Sequence, residues 1–223
     1  MNLKVFAWDF HGTLERGVEV GFWHILKLIA KERGLRENFK LFEVRKLYGI
    51  SVADYLRHFF PESSELTLRQ MMAKVAEVQN QKYLKKFVSA APRAIEVLTK
   101  IRDAGHKNII VSNSHPKHIE PLVEIVGMKD LVDQIYAIDR HYAQEKVDPS
   151  LEKTKVMKTI ILENNLGSGQ LIAIGDKAID VNAGIAAGAV TYQYIRPGFP
   201  TDKTDAKYKI HDLREVLREI YAD

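Results

Sequence analysis

The stretch KVFAWDFHGTLERG, residues 4–17, decides the fold, because an uninterrupted apolar run ends in it at the carboxylate of Asp9. A short run of this kind is typical of a strand buried in a parallel sheet, and Gly12 breaks the pattern soon afterwards. A carboxylate at the end of a buried strand is energetically costly unless a helix terminus or a cation compensates its charge. Asp9 is therefore a candidate functional residue. The role of His11, two residues later, also needs an explanation.

The composition is typical of a globular protein with a substantial core. Of the 223 residues, 46% are hydrophobic, 28% are charged and 9% are aromatic, without an obvious repeat or low-complexity segment. The chain contains no cysteine, which excludes disulfides, thiolate metal sites and a cysteine nucleophile. Its formal net charge of +4 is modest, and basic residues alternate with acidic ones. Without a nucleic-acid-binding motif, this charge fits a small anionic substrate and predicts no nucleic-acid partner.

The sequence contains no segment that predicts export or membrane insertion. The first ten residues, MNLKVFAWDF, lack the apolar core and small-residue cleavage site of a signal peptide. No later apolar run approaches the ~20 residues that a membrane-spanning helix needs. We therefore expect a cytoplasmic protein without a membrane partner, present as a monomer or a small homo-oligomer.

Two kinds of hydrophobic pattern divide the chain into two predicted domains. Between residues 18 and 87, apolar residues recur every three or four positions, which predicts helices without intervening strands. From Pro92 onward, helical segments alternate with short buried strands, which predicts βαβ units and a parallel sheet. We therefore predict an α/β core domain at residues 1–16 and 88–223 and an all-helical insertion at residues 17–87. The four helices expected in the insertion cover residues 22–34, 38–49, 52–60 and 68–87.

Polar clusters follow three of the predicted strands. They read DFHGT at residues 9–13, SNS at 112–114 and GDKAID at 175–180. Open parallel sheets bind ligands at the carboxyl ends of their strands, so the three clusters are expected to lie at one edge. Asp176 and Asp180 have the four-residue spacing that turns side chains toward one side of a helix start, and carboxylates are favoured Mg²⁺ ligands.

Each cluster also has a purely structural explanation. Asp176 could be an ordinary helix N-cap, with Asp180 in the first turn facing the helix dipole. Ser112 and Asn113 could hold an anion through backbone amides and a hydroxyl, or they could form a turn in which Ser114 caps the next helix. The order of the clusters along the sheet, rather than any one of them, favours a functional site.

Taken together, the motifs resemble those of the haloacid dehalogenase (HAD) superfamily. DFHGTL is similar to its first motif, VSNS to its second, Lys146 in KVDP to its third and GDKAID to its GDxxxD fourth motif. The resemblance covers nearly the whole predicted core and preserves the order of the four motifs. It implies a Rossmann-like α/β core with a parallel sheet, and it identifies the helical insertion as a cap of the C1 type.

The resemblance implies a phosphatase that hydrolyses a small phosphorylated metabolite through an aspartyl-phosphate intermediate. Asp9 would be the nucleophile, and Mg²⁺ would offset the repulsion between two anions. The implied metal ligands are Asp9, the main-chain carbonyl of His11, Asp176 and Asp180. The implied catalytic residues are Asp9, His11, Ser112 and Lys146. The implied phosphate-binding residues are Phe10, His11, Gly12, Thr13, Ser112, Asn113 and Lys146, with Gly12 permitting a tight turn and Thr13 bracing it.

His11 departs from the pattern of the phosphatases that the chain resembles, which usually carry a second aspartate at this position. That aspartate protonates the leaving oxygen and later deprotonates the attacking water. An imidazole can donate and accept a proton around neutral pH, so His11 could do the same work. Alternatively, His11 is a poor substitute, and the chain is a slow phosphatase or a catalytically impaired binding or regulatory protein.

A change of reaction is a third explanation for His11. Haloacid dehalogenases and phosphonatases of the superfamily also lack the second aspartate. Dehalogenases typically replace the Gly-Asp of the fourth motif, whereas Gly175 and Asp176 are both present here. An intact metal site favours phosphorus over carbon as the target, and phosphonate cleavage remains a lesser alternative.

Three further groups of residues have less specific patterns. His115 and His118 lack a third nearby metal ligand and are expected at the surface. Arg45, Lys46 and Arg57 in the insertion could meet a second anionic group of a substrate. The aromatic residues of the insertion recur at helical spacing, so most of them are expected in its core. They are Phe22, Trp23, Phe39, Phe42, Tyr48, Tyr55, Phe59 and Phe60.

Overall fold

The computed structural model describes residues 2–138 and 148–221. These residues form two compact units with separate cores, which we call the sheet unit and the helical unit. The sheet unit comprises residues 1–16, 90–197 and 201–223, and the helical unit comprises residues 17–89 and 198–200.

The sheet unit is built on a six-stranded, parallel sheet. Its strands are β1 (Val5–Trp8), β4 (Lys107–Ser112), β5 (Gln134–Ala137), β6 (Leu171–Gly175), β7 (Val190–Tyr194) and β8 (Tyr208–Ile210). They lie in the order β5-β4-β1-β6-β7-β8, and every neighbouring pair is parallel. The α-helices between them are α6 (Ala94–Asp103), α7 (Pro116–Ile125), α8 (Pro149–Glu163) and α9 (Ala178–Ala187). This architecture confirms the predicted α/β fold class with a parallel sheet.

Strand β1 lies at the centre of the sheet because its side chains are all apolar. The side chains of Val5–Trp8 are at most 1% exposed, as expected for a parallel strand that is covered on both faces. Trp8 pairs in register with Ile110 of β4 on one side and with Ile174 of β6 on the other. The indole N–H of Trp8 donates to Asn108 Oδ1 at 3.1 Å, which satisfies its one polar group.

The strand order places a switch point beside β1. The chain runs from β1 to β4 and β5 on one side, and it then crosses to β6, β7 and β8 on the other. Ligands of open α/β sheets bind at such a point, outside the carboxyl ends of the strands. The register brings Asp9, Ser112 and Asp176 to the ends of β1, β4 and β6. The three polar clusters predicted to share an edge therefore do so.

Two 3-10 helices complete the sheet unit, at Lys129–Leu131 and Leu213–Ile220. Asp212 caps the second of them by accepting the Arg214 N–H at 2.9 Å. Among the described residues, no helix combines the length and the apolar character needed to cross a lipid bilayer.

The helical unit contains five described helices, one more than the sequence pattern predicts. The single helix predicted at residues 68–87 is wrong, because the helix that covers its first part ends at Val78. Asn80 Oδ1 then accepts the Tyr83 N–H at 3.1 Å and starts a separate helix. Asparagine side chains compete for backbone N–H groups in this way and favour caps over helix interiors. The helices are α1 (Val18–Glu32), α2 (Leu41–Lys46), α3 (Val52–Phe59), α4 (Glu65–Val78) and α5 (Gln81–Leu84).

The core of the helical unit is rich in aromatic side chains, as the helical spacing predicts. Buried members are Phe22, Tyr55 and Phe60, and Trp23, Phe39 and Phe59 pack against the same cluster. Phe42 is an exception, because it is 49% exposed. Two short strands, β2 (Glu15–Arg16) and β3 (Ser89–Ala90), pair where the chain passes from one unit to the other.

Candidate active site

Asp9 lies directly after β1, at the edge of the sheet where the three sequence clusters meet. Its backbone N–H donates to the Ile174 carbonyl at 2.8 Å, which extends the pairing of β1 with β6 by one residue. Thr13 is fully buried and donates from Oγ1 to Asp9 Oδ2 at 3.4 Å. The strand pairing therefore fixes the backbone of Asp9, and the turn that follows contacts its carboxylate.

Asp176 and Asp180 approach Asp9 from the end of β6 and from the first turn of α9. Ligand oxygens of the three carboxylates all lie within 4.8 Å of one another, and Asp176 and Asp180 are buried. Within the described residues, this is the one cluster of three or more acidic, histidine or cysteine side chains arranged to hold a metal ion. The fold therefore brings together the three carboxylates that the sequence predicts at this edge of the sheet.

Helix capping explains the position of Asp180 in part, but it does not explain the position of Asp176. The N-cap of α9 is Lys177 rather than Asp176. Asp180 does take part in capping, because its Oδ2 accepts the Lys177 N–H at 3.2 Å. Asp176 Oδ1 is buried and has no hydrogen-bond partner among the described residues. Capping thus accounts for one oxygen of Asp180, whereas the burial of Asp176 requires another compensation.

A buried lysine supplies part of the charge compensation. Lys153 in α8 is 1% exposed, and its Nζ donates to Asp9 Oδ1 at 2.8 Å and to Asp180 Oδ1 at 2.5 Å. One ammonium group therefore bridges two of the three carboxylates. The cluster keeps an excess of negative charge when all three carboxylates are ionised.

Lys153 is the residue of the site that the sequence motifs miss. The resemblance assigns the third-motif lysine to Lys146, which lies outside the described residues, so that its role stays a prediction. The signal for Lys153 is helical spacing, because Lys153, Met157 and Ile160 form the buried stripe of α8. A lysine is almost never fully buried unless an anionic partner pairs with it. A lysine at an apolar position of the helical pattern therefore predicts a buried lysine that is paired with an anionic group.

Two glycines allow the carboxylates to approach the backbone. Gly12 has a φ of +90°, a left-handed conformation that favours glycine, and a Cβ there would lie 2.6 Å from Asp176 Oδ2. A Cβ at Gly175 would overlap the side chain of Asp180. Glycine at both positions is therefore a steric requirement of the cluster.

Burial and mutual repulsion make two of the carboxylates hard to ionise. Burial first, and then the charges of Asp9 and Asp180, raise the pKa of Asp176 well above its ordinary value. Burial and Asp9 raise the pKa of Asp180 to about 6, against the opposing effect of Lys153. Burial lowers the pKa of Lys153, but Asp180 and Asp9 outweigh it and raise that pKa above its ordinary range. Burial and mutual repulsion therefore oppose the simultaneous ionisation of all three carboxylates in the metal-free cluster.

The donor set fits a hard divalent cation. Mg²⁺ prefers oxygen ligands and is commonly bound by one or two carboxylates. Asp176 presents a buried oxygen without a hydrogen-bond partner among the described residues, and Lys153 bonds to the other two carboxylates of the cluster. A divalent cation would neutralise the remaining excess of charge, so the residues present suit such an ion.

Asp176→Asn is expected to stabilise the metal-free protein at alkaline pH. A carboxyl group whose pKa is raised by folding stabilises the fold below its ordinary pKa, and this contribution is lost as the pH rises through the raised value. For Asp180 that value is about 6, and the pKa of Asp176 is also raised. We expect a gain of about 1–3 kcal/mol in the free energy of unfolding at pH 8 in EDTA. Calorimetry should show this gain as a rise in melting temperature of about 2–4 °C for each kcal/mol.

The pH dependence of this gain separates repulsion from other effects of the substitution. The difference between Asp176→Asn and the wild type should shrink towards pH 5, where the wild-type cluster is partly protonated. Asp205→Asn removes an exposed carboxylate of the same unit and should change stability by less than ~0.5 kcal/mol. A loss of stability in metal-free Asp176→Asn at pH 8 would contradict the repulsion argument.

Ser112 and Asn113 lie at the end of β4, the strand next to β1. Ser112 is buried, and its Oγ accepts the Ser114 N–H at 3.2 Å. Asn113 Oδ1 is buried without a hydrogen-bond partner among the described residues. The alternative of a cap at Ser114 is wrong, because the N-cap of α7 is His115, whose Nδ1 accepts the Lys117 N–H at 3.1 Å. The predicted contacts of Ser112 and Asn113 with phosphate stay a prediction.

His11 lies in the turn after β1 and is paired with a buried carboxylate. Its Nδ1 lies 3.1 Å from Glu15 Oε1, and Glu15 is fully buried. The His11 side chain is 26% exposed, so part of the ring is accessible. The carbonyl of the buried Phe10 accepts the N–H groups of Leu14 and Glu15 at 3.0 and 3.1 Å. These bonds hold the tight turn that separates His11 from Glu15.

The basic residues that could meet a substrate have partners inside the helical unit. Arg45 Nη2 lies 3.3 Å from Glu19 Oε1. Arg57 Nη1 lies 3.3 Å from Asp54 Oδ1, and Lys46 Nζ lies 5.1 Å from the centroid of a phenylalanine ring. A role for any of the three in substrate binding therefore stays a prediction.

Comparison with known proteins identifies the family. The sequence model of the haloacid dehalogenase-like hydrolases matches residues 6–193, which is most of the chain and includes all three clustered carboxylates. This chain belongs to the haloacid dehalogenase-like hydrolase family. No match was found among curated proteins.

Solved structures of other HAD proteins share the fold of this haloacid dehalogenase-like hydrolase. A HAD family hydrolase from Deinococcus radiodurans with bound phosphate and sodium is 21% identical, with a TM-score of 0.71 and coverage of 98% of this chain and 96% of that one. A predicted phosphoglycolate phosphatase from Haemophilus somnus is 17% identical, with a TM-score of 0.75 and coverage of 97% of each chain. A HAD-superfamily hydrolase of subfamily IA from Geobacter sulfurreducens is 15% identical, with a TM-score of 0.74 and coverage of 98% and 96%. At these identities the likeness establishes the fold of the haloacid dehalogenase-like hydrolase and leaves its substrate open.

Proposed function

We propose that this protein is a Mg²⁺-dependent phosphatase that acts on a small phosphorylated metabolite through an aspartyl-phosphate intermediate. The observation that carries the proposal is the Asp9 carboxylate at the end of the central strand, clustered with Asp176 and Asp180 and bonded to Lys153. A carboxylate nucleophile, oxygen ligands for a hard cation and a buried ammonium group are the components that suit phosphoryl transfer from a monoester. The bound phosphate of the similar Deinococcus radiodurans protein supports the choice of substrate class.

In the proposed reaction, an oxygen of Asp9 forms a bond to phosphorus while the bond to the leaving-group oxygen breaks. His11 donates a proton to that oxygen, and the alcohol departs. Water then attacks the phosphorus of the aspartyl-phosphate, and His11 accepts the proton of the water. The bond between Asp9 and phosphorus breaks, which releases inorganic phosphate and restores both side chains.

Asp9, Asp176, Asp180 and the main-chain carbonyl of His11 would hold the metal ion. When bound, Mg²⁺ supplies Lewis-acid polarisation and offsets the negative charge of the phosphate. The three side chains already lie together in the cluster, and the main-chain carbonyl of His11 is a ligand that any residue at this position supplies.

Lys153 would stabilise negative charge on the transferred phosphoryl group, because it keeps an ammonium group at Asp9. The resemblance gives this role to Lys146, and we propose Lys153 as the second candidate. Ser112 and Asn113 would contact the phosphate from the end of β4. The turn after β1 would contribute further phosphate contacts from Phe10, His11, Gly12 and Thr13.

The helical insertion between the first and second motifs would serve as a C1-type cap. Caps of this kind select the substrate and exclude water during the reaction. We further propose a cytoplasmic monomer or small homo-oligomer that acts without a nucleic-acid or membrane partner.

Phosphate release from phenyl phosphate, measured with Mg²⁺ and with EDTA, tests the proposed function. We expect turnover with Mg²⁺ and a loss of at least about 10²-fold in EDTA, because a bound metal contributes several kcal/mol to transition-state stabilisation. His11→Asp restores the second aspartate of the first motif. If only His11→Asp releases phosphate, the impaired-protein alternative is correct. If neither protein hydrolyses any member of a panel of phosphorylated metabolites, the phosphatase proposal is wrong.

His11→Asn tests the proton-transfer role separately. We expect kcat to fall by about 10²–10⁴-fold, which is the usual contribution of a positioned acid or base. Steady-state kinetics on the same ester measures the loss, with the melting temperature as the control for folding. An unchanged kcat would remove His11 from the mechanism.

A further inference from the structure

Glu15 is a buried carboxylate that the proposed reaction does not use. It is 0% exposed and forms the first residue of β2. Its backbone N–H donates to the Phe10 carbonyl at 3.1 Å, which fixes the residue at the end of the turn that begins at Asp9. Its Oε1 lies 3.1 Å from Nδ1 of His11. The carboxylate and the imidazole are therefore held together by a short and well-bonded piece of backbone.

The pairing determines which nitrogen of His11 is available for chemistry. An ionised carboxylate only accepts hydrogen bonds, so a bond between an ionised Glu15 and His11 requires the proton of the ring to lie on Nδ1. Nε2 is then the nitrogen that gains and loses a proton, because the hydrogen bond at one ring nitrogen sets the role of the other. A carboxylate that orients a histidine base in this way is a recurring arrangement in hydrolases of unrelated folds.

We propose that Glu15 is the positioning residue for His11 and holds its ring so that Nε2 donates the proton to the leaving group and accepts the proton of water. This inference rests on the proposed phosphatase function. The two oxygens of an aspartate are equivalent, whereas the two nitrogens of an imidazole are not, so a histidine at this position needs a partner that selects one tautomer. Glu15, four residues later, supplies that partner from the same turn.

Two esters with different leaving groups separate the steps in which His11 acts. p-Nitrophenolate leaves without a proton, whereas the alkoxide of glycerol phosphate needs one. A misplaced imidazole therefore slows the first step on glycerol phosphate, and it slows hydrolysis of the aspartyl-phosphate whichever ester formed it. With p-nitrophenyl phosphate the second step then becomes rate-limiting, so that intermediate accumulates.

The experiment compares Glu15→Gln with the wild type on both esters in the presence of Mg²⁺. We expect kcat on glycerol phosphate to fall by at least about 10-fold, because removal of a carboxylate that orients a histidine base lowers kcat by up to about 10⁴-fold. KM should change by less than about threefold, because Glu15 contacts no substrate in this proposal. With p-nitrophenyl phosphate, rapid mixing should show a burst of about one equivalent of p-nitrophenolate before slow turnover.

The His11→Asp background distinguishes positioning from a structural role of Glu15. An aspartate at this position needs no orienting partner, and the nearby carboxylate of Glu15 repels it. Glu15→Gln should therefore lower kcat in the wild-type background, and this loss should disappear in the His11→Asp background, which has no ring to orient. A carboxylate needed only for folding would cost activity in both backgrounds.

A measurement on the unmodified protein keeps the inference testable if Glu15→Gln does not fold. The ¹⁵N and ¹H resonances of the His11 ring report the tautomer, and we expect the proton of the neutral ring on Nδ1. A neutral ring with its proton on Nε2 would overturn the inference. So would equal losses of kcat on the two esters without a burst, or an unchanged kcat in Glu15→Gln. Failure of the proposed function gives a different result, because the wild type would then release phosphate from neither ester.

Discussion

Asp9→Asn is expected to abolish phosphate release, with a loss in kcat of at least ~10⁴-fold. An amide cannot form the bond to phosphorus that begins the proposed reaction, and no other carboxylate of the cluster follows the central strand. The substitution keeps the size of the side chain, so the strand and the Thr13 contact are expected to remain. A continuous phosphate assay with Mg²⁺ measures the effect.

Detection of the intermediate makes the Asp9 prediction more specific. Mass spectrometry of the rapidly quenched wild type should find a phosphorylated peptide that contains Asp9, and Asp9→Asn should yield none. Asp205→Asn, which removes an exposed carboxylate of the same unit, should retain activity and the phosphorylated peptide. Activity of Asp9→Asn within tenfold of the wild type would exclude Asp9 as the nucleophile.

Lys153→Met is expected to impair both stability and catalysis. The substitution keeps the length of the side chain but leaves the carboxylates of Asp9 and Asp180 in a buried position without their ammonium partner. Removal of one partner from a buried ion pair typically costs about 3–5 kcal/mol. The melting temperature should fall by about 2–4 °C for each kcal/mol lost. Loss of a charge that stabilises the transition state should lower kcat by about 10²–10³-fold.

Two control variants show whether the effect belongs to Lys153. Lys155→Met lies two residues later on the same helix, where Lys155 is exposed and pairs with Glu152 at 2.6 Å. It should change stability by less than ~0.5 kcal/mol. Lys146→Met tests the lysine that the sequence motif selects. If Lys146→Met loses activity while Lys153→Met retains it, the assignment from the motif is correct and the role of Lys153 in catalysis is excluded.

The three carboxylates could be predicted from the sequence because strand ends are easy to locate in an α/β protein. Each of the strands that carry Asp9 and Asp176 is a short apolar run with a sharp polar boundary, and topology alone brings such boundaries to one edge. The side-by-side placement of β1, β4 and β6 then follows from the usual strand order of these folds. The family resemblance independently identifies the same positions.

Lys153 and Glu15 could not be predicted in the same way, because their burial depends on tertiary packing. The Lys153 Nζ reaches a partner 144 residues away in sequence, and its place depends on how α8 sits on the sheet. Glutamate is usually exposed, whereas Glu15 is buried by the turn and by the pairing of β2. The split of the predicted helix at residues 68–87 has a local cause, since Asn80 competes for a backbone N–H that a continuous helix would use.

The central position of β1 has a consequence for biosynthesis. Its partners on the two sides begin at Lys107 and Leu171, so the ribosome completes β1 long before either neighbour exists. The apolar sequence VFAW is then an unpaired strand in a nascent chain, and such strands are the species that chaperones protect from aggregation. β6 pairs with β1 on one side, and Asp176, which follows β6, lies in the cluster with Asp9. The proposed site is therefore incomplete until β6 has been made, and a translation product that stops before Leu171 is expected to be both inactive and prone to aggregate.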